Sequence, residues 1–404
     1  MKIKISFFLT TFLLCCVTEQ KESSPLTLIN ISNALETKQV TYLSQFIDSI
    51  VFVPLELSDK SLVSSSPGVE ITTDFIIVRN SGRKPPHLLV FDRKTGRFIR
   101  DIGMMGRGPN EYSYIPEAFF NQLQETIYAI GNNDNVLVYD LFGNVRHIFK
   151  MPDYFQVEGI AGLEGIQFSS GSFNTYLDTN TFVSYVNNYS GHEKKKLILF
   201  SKDTIVKIFP NYLSWERTPS NNINVFSPEN IFYRFNNQLF FKEAFNDTLF
   251  EVSKDLLTPR FVFSFGKYGI PYALQDEYLK SGKRNQAFTL DDFTENQNYL
   301  FFTIKFNFQS YLTFYDKRIK YLKVCEGIDS YTSALIDDIN DFLPVSRIRF
   351  NERNEFIAYF DALSIKNWID SNPERANSLF EKYTWLRDFD ESGNPVIMIA
   401  KCKN

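Results

Sequence analysis

The residues that could perform chemistry in this chain are few, and they follow no recognised catalytic pattern. Only three histidines occur among the 404 residues, namely His87, His147 and His192. A metal site would need histidines or carboxylates that converge in space, and these three positions share no spacing. The chain contains no G-x-S-x-G sequence of the kind that carries a hydrolase nucleophile. We therefore predict no metal, no cofactor and no catalytic residue.

The sequence contains two groups of acidic residues. The first, Asp337, Asp338 and Asp341, offers the oxygen ligands that calcium prefers, and the second comprises Asp291, Asp292 and Glu295. The first group does not have the spacing of an EF-hand loop, and its alternative role is that of turn and cap residues. For the second group we expect solvated charges in a loop or at the start of a helix. The structural interpretation is favoured for both groups.

Four charged residues lie near the ends of predicted strands, where loops often carry binding residues. They are Arg79, Arg83, Arg107 and Asp134. We take them as the first candidates for ligand binding, and solvated loop charges are the alternative. Carboxylate pairs that cleave glycans converge in space and not in sequence, so the sequence leaves that chemistry open.

The elements that must position these residues are β-hairpins. Residues 87–92 (HLLVFD) form an apolar run, and residues 97–102 (RFIRDI) alternate between polar and apolar side chains. Such alternation is typical of a half-buried strand, and Gly96 lies where the chain must reverse. Residues 103–112 follow, with three glycines and a proline that forbid a regular element.

The same hairpin pattern recurs along the chain. NVLVYDLFGNVRHIF, from residue 135, aligns with HLLVFDRKTGRFIRDI, from residue 87. A spacing of about fifty residues fits one blade of a propeller. Looser copies are predicted at 181–209, 231–266, 299–324 and 356–401, with helical segments at 271–281 and 364–389.

Residues 88–112, LLVFD followed by GRFIRDIG and GRGPNEY, resemble the repeat of NHL-type β-propellers. They resemble still more closely the six-bladed β-propeller lipoproteins of Bacteroides-type bacteria, as do FNDTLFEV at 245–252 and the segment 337–344. This resemblance covers roughly residues 40–404. It implies an all-β fold, a six-bladed β-propeller with short helical insertions near the C-terminus.

The need to close such a ring leads to a specific prediction about the last blade. Unpaired strand edges would be exposed where the first and last blades meet, and a strand from the other terminus usually completes the last blade. We predict that residues 47–53 join the blade that contains 356–362 and 395–401.

The N-terminus has the pattern of an export signal. Lys2 and Lys4 precede an apolar run at 5–17 that is too short to span a bilayer. Leu-Leu-Cys-Cys at 13–16 resembles a bacterial lipobox, which makes Cys16 the predicted lipidation site, although Cys15 stands where a smaller residue is usual. Secretion without lipid is the alternative. The predicted organisation is a signal peptide at 1–16, a tether at 17–37 and a propeller at 38–404.

Composition limits the remaining possibilities. The net charge of −4 predicts no field that would attract nucleic acid, and the only basic run, Lys194 to Lys196, is expected to cap a hairpin. Aromatic residues make up 16% of the chain, which suits strands. A disulfide between Cys325 and Cys402 is one possibility, and two buried or half-buried thiols are the favoured one.

The expected function is that of a monomeric, exported lipoprotein, anchored to a membrane in the periplasm or at the outer membrane. It would bind or scaffold a protein, peptide or glycan through the propeller face or the funnel. The alternative is a lyase or hydrolase of an envelope glycan or peptide, and a third possibility is a structural subunit of a membrane complex. Polar side chains that converge from several blades would favour the enzyme, since fold alone does not fix function.

Overall fold

The strands of this protein form six separate sheets that follow one another around a ring. The computed structural model describes residues 26–81, 87–131, 135–152, 171–219, 228–281, 285–327 and 333–403. Each sheet contains four antiparallel strands, and two of the sheets carry a fifth strand. The predicted six-bladed β-propeller is confirmed.

The strands are numbered along the chain. Three N-terminal strands are β1 (Thr27–Asn30), β2 (Lys38–Gln39) and β3 (Ile47–Pro54). Blade 1 comprises β4 (Gly68–Ile71), β5 (Phe75–Asn80), β6 (His87–Asp92) and β7 (Phe98–Asp101). Blade 2 comprises β8 (Tyr112–Asn121), β9 (Thr126–Gly131), β10 (Asn135–Asp140) and β11 (Val145–Lys150). Blade 3 comprises β12 (Gly171–Tyr176), β13 (Phe182–Val186), β14 (Lys195–Ser201) and β15 (Thr204–Pro210).

The second half of the chain supplies the other three blades. Blade 4 comprises β16 (Asn230–Phe235), β17 (Gln238–Glu243), β18 (Thr248–Val252) and β19 (Leu257–Ser264). Blade 5 comprises β20 (Thr289–Glu295), β21 (Tyr299–Phe306), β22 (Gln309–Asp316) and β23 (Tyr321–Cys325). Blade 6 comprises β24 (Arg349–Phe350), β25 (Glu355–Phe360), β26 (Val396–Cys402) and the N-terminal strand β3.

The turn between β6 and β7 shows why the predicted hairpin forms. Gly96 has a φ of 70°, and its N–H donates to the carbonyl of Asp92 at 2.9 Å. The Asp92 carboxylate in turn accepts from the N–H and the hydroxyl of Thr95, at 2.8 and 2.7 Å. A Cβ atom on Gly96 would lie 1.9 Å from the carbonyl oxygen of Pro54 in β3. Glycine is therefore required both by the left-handed backbone and by the contact with blade 6.

Blade 6 closes the ring as predicted. β3 pairs with β26 in antiparallel register, from Pro54 opposite Val396 to Ser49 opposite Lys401. β26 pairs in turn with β25. The first and last parts of the chain thus share one sheet, which removes the exposed edges that an open ring would have.

The segment before β3 also belongs to the fold. β1 pairs in parallel with β19 at the outer edge of blade 4, and β2 pairs in parallel with β23 at the outer edge of blade 5. We call residues 27–54 the N-terminal strap, because they follow the outer edges of three successive blades. Ile29 and Ile31 are 1% and 0% exposed. Residues 27–37, which were predicted from the sequence to lie in a tether, are part of the propeller.

Helices occur where the sequence predicts them. α1 (Gln275–Lys280) lies in the connection between blades 4 and 5, within the predicted segment 271–281. α2 (Ala362–Ser371) and α3 (Pro373–Lys382) form the insertion between β25 and β26. The Asp361 carboxylate caps α2 by accepting from the N–H of Ser364 at 2.9 Å. No helix in the described ranges has both the length and the apolar character that a membrane crossing requires.

Aromatic rings fill the spaces between blades. The ring of Phe46 in the strap lies 5.1 Å from the rings of both Phe301 and Phe314 in blade 5. Cys325 and Cys402 are buried in the same apolar cluster, and both thiols are free. Burial raises the pKa of Cys325 to about 12 and that of Cys402 to about 11. The expectation of two buried thiols is confirmed.

The propeller has two distinct ends. We call the end that carries the connections between blades the loop face, and it also carries α1, α2 and α3. The opposite end, the turn face, carries the short turns between the first two strands of each blade, such as 72–74 and 236–237. The first strand of each blade therefore runs from the loop face to the turn face.

Candidate functional site

The first strands of the blades surround the axis of the propeller. Neighbouring first strands contact one another, β8 with β12, β16 with β20, and β20 with β24. Each of them is also the terminal strand of its sheet. Side chains from these strands therefore line a central channel, in which a ligand could meet groups from several blades.

Four charged side chains from three blades converge on this channel. Glu70 on β4 and Arg79 on β5 belong to blade 1, Asp292 on β20 to blade 5, and Arg349 on β24 to blade 6. Glu70 interacts electrostatically with both arginines, and Asp292 interacts with Arg349. These couplings place the four groups in one region of the channel.

The two carboxyl groups of this region are accessible to water but enclosed by protein. The side chains of Glu70 and Asp292 are both exposed by surface area. Burial nevertheless raises the pKa of Glu70, and Arg349 and Arg79 oppose that rise. Burial also raises the pKa of Asp292, and the charge of Asp291 adds to it. Enclosure of exposed carboxyl groups by the walls of a narrow channel accounts for both observations, because the walls exclude most of the bulk solvent around each carboxylate.

A β-bulge sets the position of Asp292. The register between β20 and β21 shifts between Asp291 and Thr294, and Asp292 has a φ of 51°. A bulge bends the strand and redirects its side chains. Asp291 forms an ion pair with Lys305, and the Glu295 side chain is 0% exposed. The expectation that these three acidic residues are solvated loop or helix-start charges is wrong, because all three belong to a strand.

Arg79 lies in the wall of the channel. Its Nη1 atom donates to the carbonyl of Ala118 on β8 at 2.6 Å, so that it bridges blades 1 and 2. A Cβ atom on Gly68 would lie 3.0 Å from Nε and Nη2 of Arg79. The absence of a side chain at Gly68 therefore leaves room for the guanidinium beside the axis.

The other predicted candidates do not join this cluster. Arg107 is exposed in the connection between blades 1 and 2. Arg83, Asp134 and the predicted lipidation site Cys16 lie outside the described residues. The sequence analysis also missed Glu70 and Arg349, and it considered Asp292 only as a solvated charge in a loop or at the start of a helix. The sequence contained a signal for Glu70, because it is the only charged residue in the otherwise apolar strand β4.

Arg349 differs from the other arginine beside it on the chain. Arg347 donates to the hydroxyl of Tyr359 at 2.6 Å and to the hydroxyl of Ser66 at 2.9 Å. The guanidinium of Arg349 is exposed and forms no hydrogen bond or ion pair with any residue that the structure describes. It is therefore the group of the channel best able to accept an anionic partner.

Paired side chains hold the channel together near the turn face. Arg234 on β16 donates to the carbonyl of Tyr176 at 2.9 Å, and its guanidinium lies 4.3 Å from the centre of the Tyr176 ring. Its Nε atom is 3.8 Å from the carboxylate of Glu352, which also accepts from the N–H of Asn237 at 3.0 Å. These contacts join blades 3, 4 and 6, so we assign them to stability rather than to ligand binding.

The remaining sequence candidates have structural roles. Asp337 accepts from the N–H groups of Ile339 and Asn340 at 3.1 and 3.0 Å, which is the turn role expected for it. Within the described ranges, no group of three or more potential metal ligands occurs. Lys196, expected to cap a hairpin, is instead buried in β14 and paired with Glu243. That expectation is wrong because a buried carboxylate on the neighbouring blade compensates the charge.

A crystal structure of a bacterial protein supports the fold assignment. A protein from Bacteroides fragilis, whose name proposes export, has a crystal structure that matches with a TM-score of 0.64 and 18% identity, over 94% of this chain and all of that one. A DUF4221 family member from Bacteroides vulgatus matches with a TM-score of 0.49 and 13% identity, over 89% of this chain and 98% of that chain. No curated protein matches the chain.

The model of one protein family covers nearly the whole propeller. It describes a domain of unknown function, DUF4934, and it matches residues 26–401. The resemblance to propellers of Bacteroides-type bacteria that the sequence indicated is confirmed by this match together with the B. fragilis structure. The chain belongs to the DUF4934 family.

Proposed function

We propose that this protein is a binding module of the cell envelope that takes an anionic group of a peptide or glycan into its central channel. The observation that supports this function is the exposed guanidinium of Arg349, with Arg79 in the adjacent wall. Guanidinium groups bind carboxylates through two parallel hydrogen bonds. Glu70 and Asp292 would favour ligands that carry a hydrogen-bond donor near the anionic group.

A matched pair of variants tests the channel. Arg349→Gln removes the charge inside the channel, and Arg97→Gln removes an equal charge from the exposed turn between β6 and β7. The probes are peptides with a free C-terminal carboxylate, their amidated forms, and oligosaccharides with or without uronic acids. Arg349→Gln should weaken binding of the acidic probes by about tenfold or more, whereas Arg97→Gln should not. Equal binding of acidic and neutral probes would contradict the proposal.

A lyase or hydrolase of an envelope glycan is the second candidate. It is supported by the convergence of two carboxyl groups, Glu70 and Asp292, from different blades, each with a raised pKa. Carboxyl groups with raised pKa values can act as general acids. The test is to incubate acidic oligosaccharides with the protein and to measure new chain ends. A binding module returns the oligosaccharides intact, whereas an enzyme cleaves them and loses activity in Glu70→Gln or Asp292→Asn.

Export and attachment to a membrane through lipid at Cys16 complete the proposal. Support comes from Lys2 and Lys4 before the apolar run, and from the lipobox-like residues at 13–16. Metabolic labelling with a radioactive fatty acid in a bacterial host tests this part. Label should enter the wild-type protein and be absent from Cys16→Ser. Export of an unlabelled wild-type protein would instead indicate simple secretion.

A further inference from the structure

A cleft on the loop face lies between blades 3 and 4 and shares no lining residue with the channel cluster. Its volume is about 40 Å³, which is space for a few waters or one small terminal group. Residues from four parts of the fold line it, namely the end of β13 with the loop after it, residues 215–217 and 229 before β16, the end of β17 with the loop after it, and α1 with the turn before it. The lining residues that matter here are Tyr185, Tyr189, Trp215, Glu229, Glu243 and Tyr272.

Aromatic rings from three of these segments face the cleft. Tyr185 and Trp215 are 4% and 6% exposed, so their rings are fixed by the surrounding protein. The indole Nε1 of Trp215 donates to the carbonyl of Asn188 at 3.1 Å. Tyr189 and Tyr272 are half-buried and complete the aromatic wall. Aromatic rings carry negative π faces, and these attract cations.

The carboxylate of Glu243 is already satisfied by neighbouring groups. It forms an ion pair with the buried Lys196, and the hydroxyls of Tyr185 and Tyr272 donate to it at 3.3 and 3.4 Å. The side-chain amide of Asn246 donates to it at 3.2 Å. Glu243 therefore organises the cleft and leaves little capacity for a ligand.

Glu229 has no such partners among the residues that the structure describes. Its backbone carbonyl accepts from the N–H of Ala244 at 2.8 Å. Its carboxyl group makes no hydrogen bond or ion pair with the described residues, although it lines the cleft. Burial, aided by the charge of Glu243, raises the pKa of Glu229 to about 7. Among the described residues, the carboxyl group of Glu229 therefore has no counterion in this aromatic cleft.

We propose that this cleft binds a primary ammonium group, which is held between the aromatic rings and the carboxylate of Glu229. The group fits the small volume, which is too small for a whole sugar ring, and it supplies the missing positive charge. Such a group comes from a lysine side chain of a peptide or from a free small amine. This site goes beyond the proposed function, because that function uses other residues and an anionic ligand group.

The charges around Glu229 determine how binding depends on pH. Glu243 opposes ionisation of Glu229, and Lys196 compensates Glu243. Arg217 lines the cleft and is engaged in other contacts, whereas Lys242 lies behind Glu243 and interacts with it. From α1 and the turn before it, only uncharged side chains line the cleft. Binding should therefore strengthen as Glu229 ionises between pH 6 and pH 8, by about tenfold for a pKa near 7.

Titrations followed by NMR test the proposal on the full propeller. The probes are methylammonium, Nα-acetyl-lysine methylamide and Nα-acetyl-norleucine methylamide, which has nearly the same shape as the lysine probe without the charge. The ammonium probes should bind, more tightly at pH 8 than at pH 6, and the norleucine probe should not. Binding of methylammonium as well would indicate that small amines suffice. Binding of the lysine probe alone would indicate a peptide source.

Two matched substitutions complete the test. Glu229→Gln should weaken ammonium binding at pH 8 by about tenfold or more and remove its pH dependence. Glu216→Gln removes the same charge from a side chain that is 90% exposed in the same connection, and it should leave binding unchanged. Comparable melting temperatures would show that both variants are folded. Unchanged binding in Glu229→Gln, a flat pH profile, or equal binding of norleucine or N-acetylglucosamine would overturn the proposal.

Discussion

Replacing Glu295 by glutamine should be among the most damaging single changes to this propeller. The carboxylate is 0% exposed and compensates two cations, Arg260 at 2.6 Å and Lys317 at 2.8 Å. It also accepts from the hydroxyl of Tyr233 at 2.9 Å. Arg260 and Tyr233 belong to blade 4, whereas Glu295 and Lys317 belong to blade 5. One carboxylate therefore joins two blades.

The expected cost follows from the two cations that would remain. Removing one partner of a buried ion pair typically destabilises a protein by about 3–5 kcal/mol, because the other charge stays buried without compensation. Glu295→Gln keeps the shape of the side chain, so most of the loss is electrostatic. Urea denaturation followed by tryptophan fluorescence should show a lower midpoint. The expected loss in the free energy of unfolding is about 3–5 kcal/mol.

A matched control separates burial from charge alone. Lys254 forms an ion pair with Asp178 at 2.8 Å, but its side chain is 59% exposed. Lys254→Gln should have little effect on the free energy of unfolding, because water screens an exposed ion pair. Adding Lys317→Met to Glu295→Gln should restore part of the free energy of unfolding, because it removes one of the two buried cations left without a compensating carboxylate. If Glu295→Gln lowered the free energy of unfolding as little as the control does, the conclusion that Glu295 is a buried carboxylate compensating two cations would be refuted.

Further outcomes follow from the strap and from the buried thiols. Ile31→Ala should lower the free energy of unfolding by about 2–5 kcal/mol, because Ile31 is 0% exposed, whereas Leu28→Ala, at a side chain that is 65% exposed, should have little effect. Equal melting temperatures for the two variants would contradict the role of the strap. The thiols can be tested in a folded variant in which Cys15 and Cys16 have been replaced. Cys325 and Cys402 should not react with a thiol reagent in this folded protein, because burial keeps their pKa values at about 12 and 11. Both thiols should react after denaturation. Rapid reaction of the native protein would be inconsistent with their burial.

Much of the fold could be predicted from local sequence patterns. The β6–β7 hairpin could be read from an apolar run, an alternating run and Gly96, because a hairpin depends on neighbouring residues. The closure by β3 followed from the general need to pair strand edges. β1 and β2 were missed, because a short strand that pairs with a distant blade leaves no local signal.

The channel residues could be predicted from the sequence to a much smaller extent. Glu70 and Arg349 lie at opposite ends of the sequence, and only the ring brings them together. β20 was missed because the bulge at Asp292 interrupts the alternation that marks a strand. The buried charges of Lys196 and Glu295 resemble surface charges in sequence, because their compensating partners lie on neighbouring blades.

Closure by the strap also has a consequence for the order of folding. β3 precedes every strand of blades 1 to 5 in the chain, and its partner β26 follows all of them. The ring cannot close until residues 396–402 have been synthesised, so β3 lacks its partner strand while blades 1 to 5 are being made. Contacts of such long sequence separation form late and slowly. In a chain that crosses a membrane unfolded, this pairing would be postponed until both β3 and β26 are on the far side.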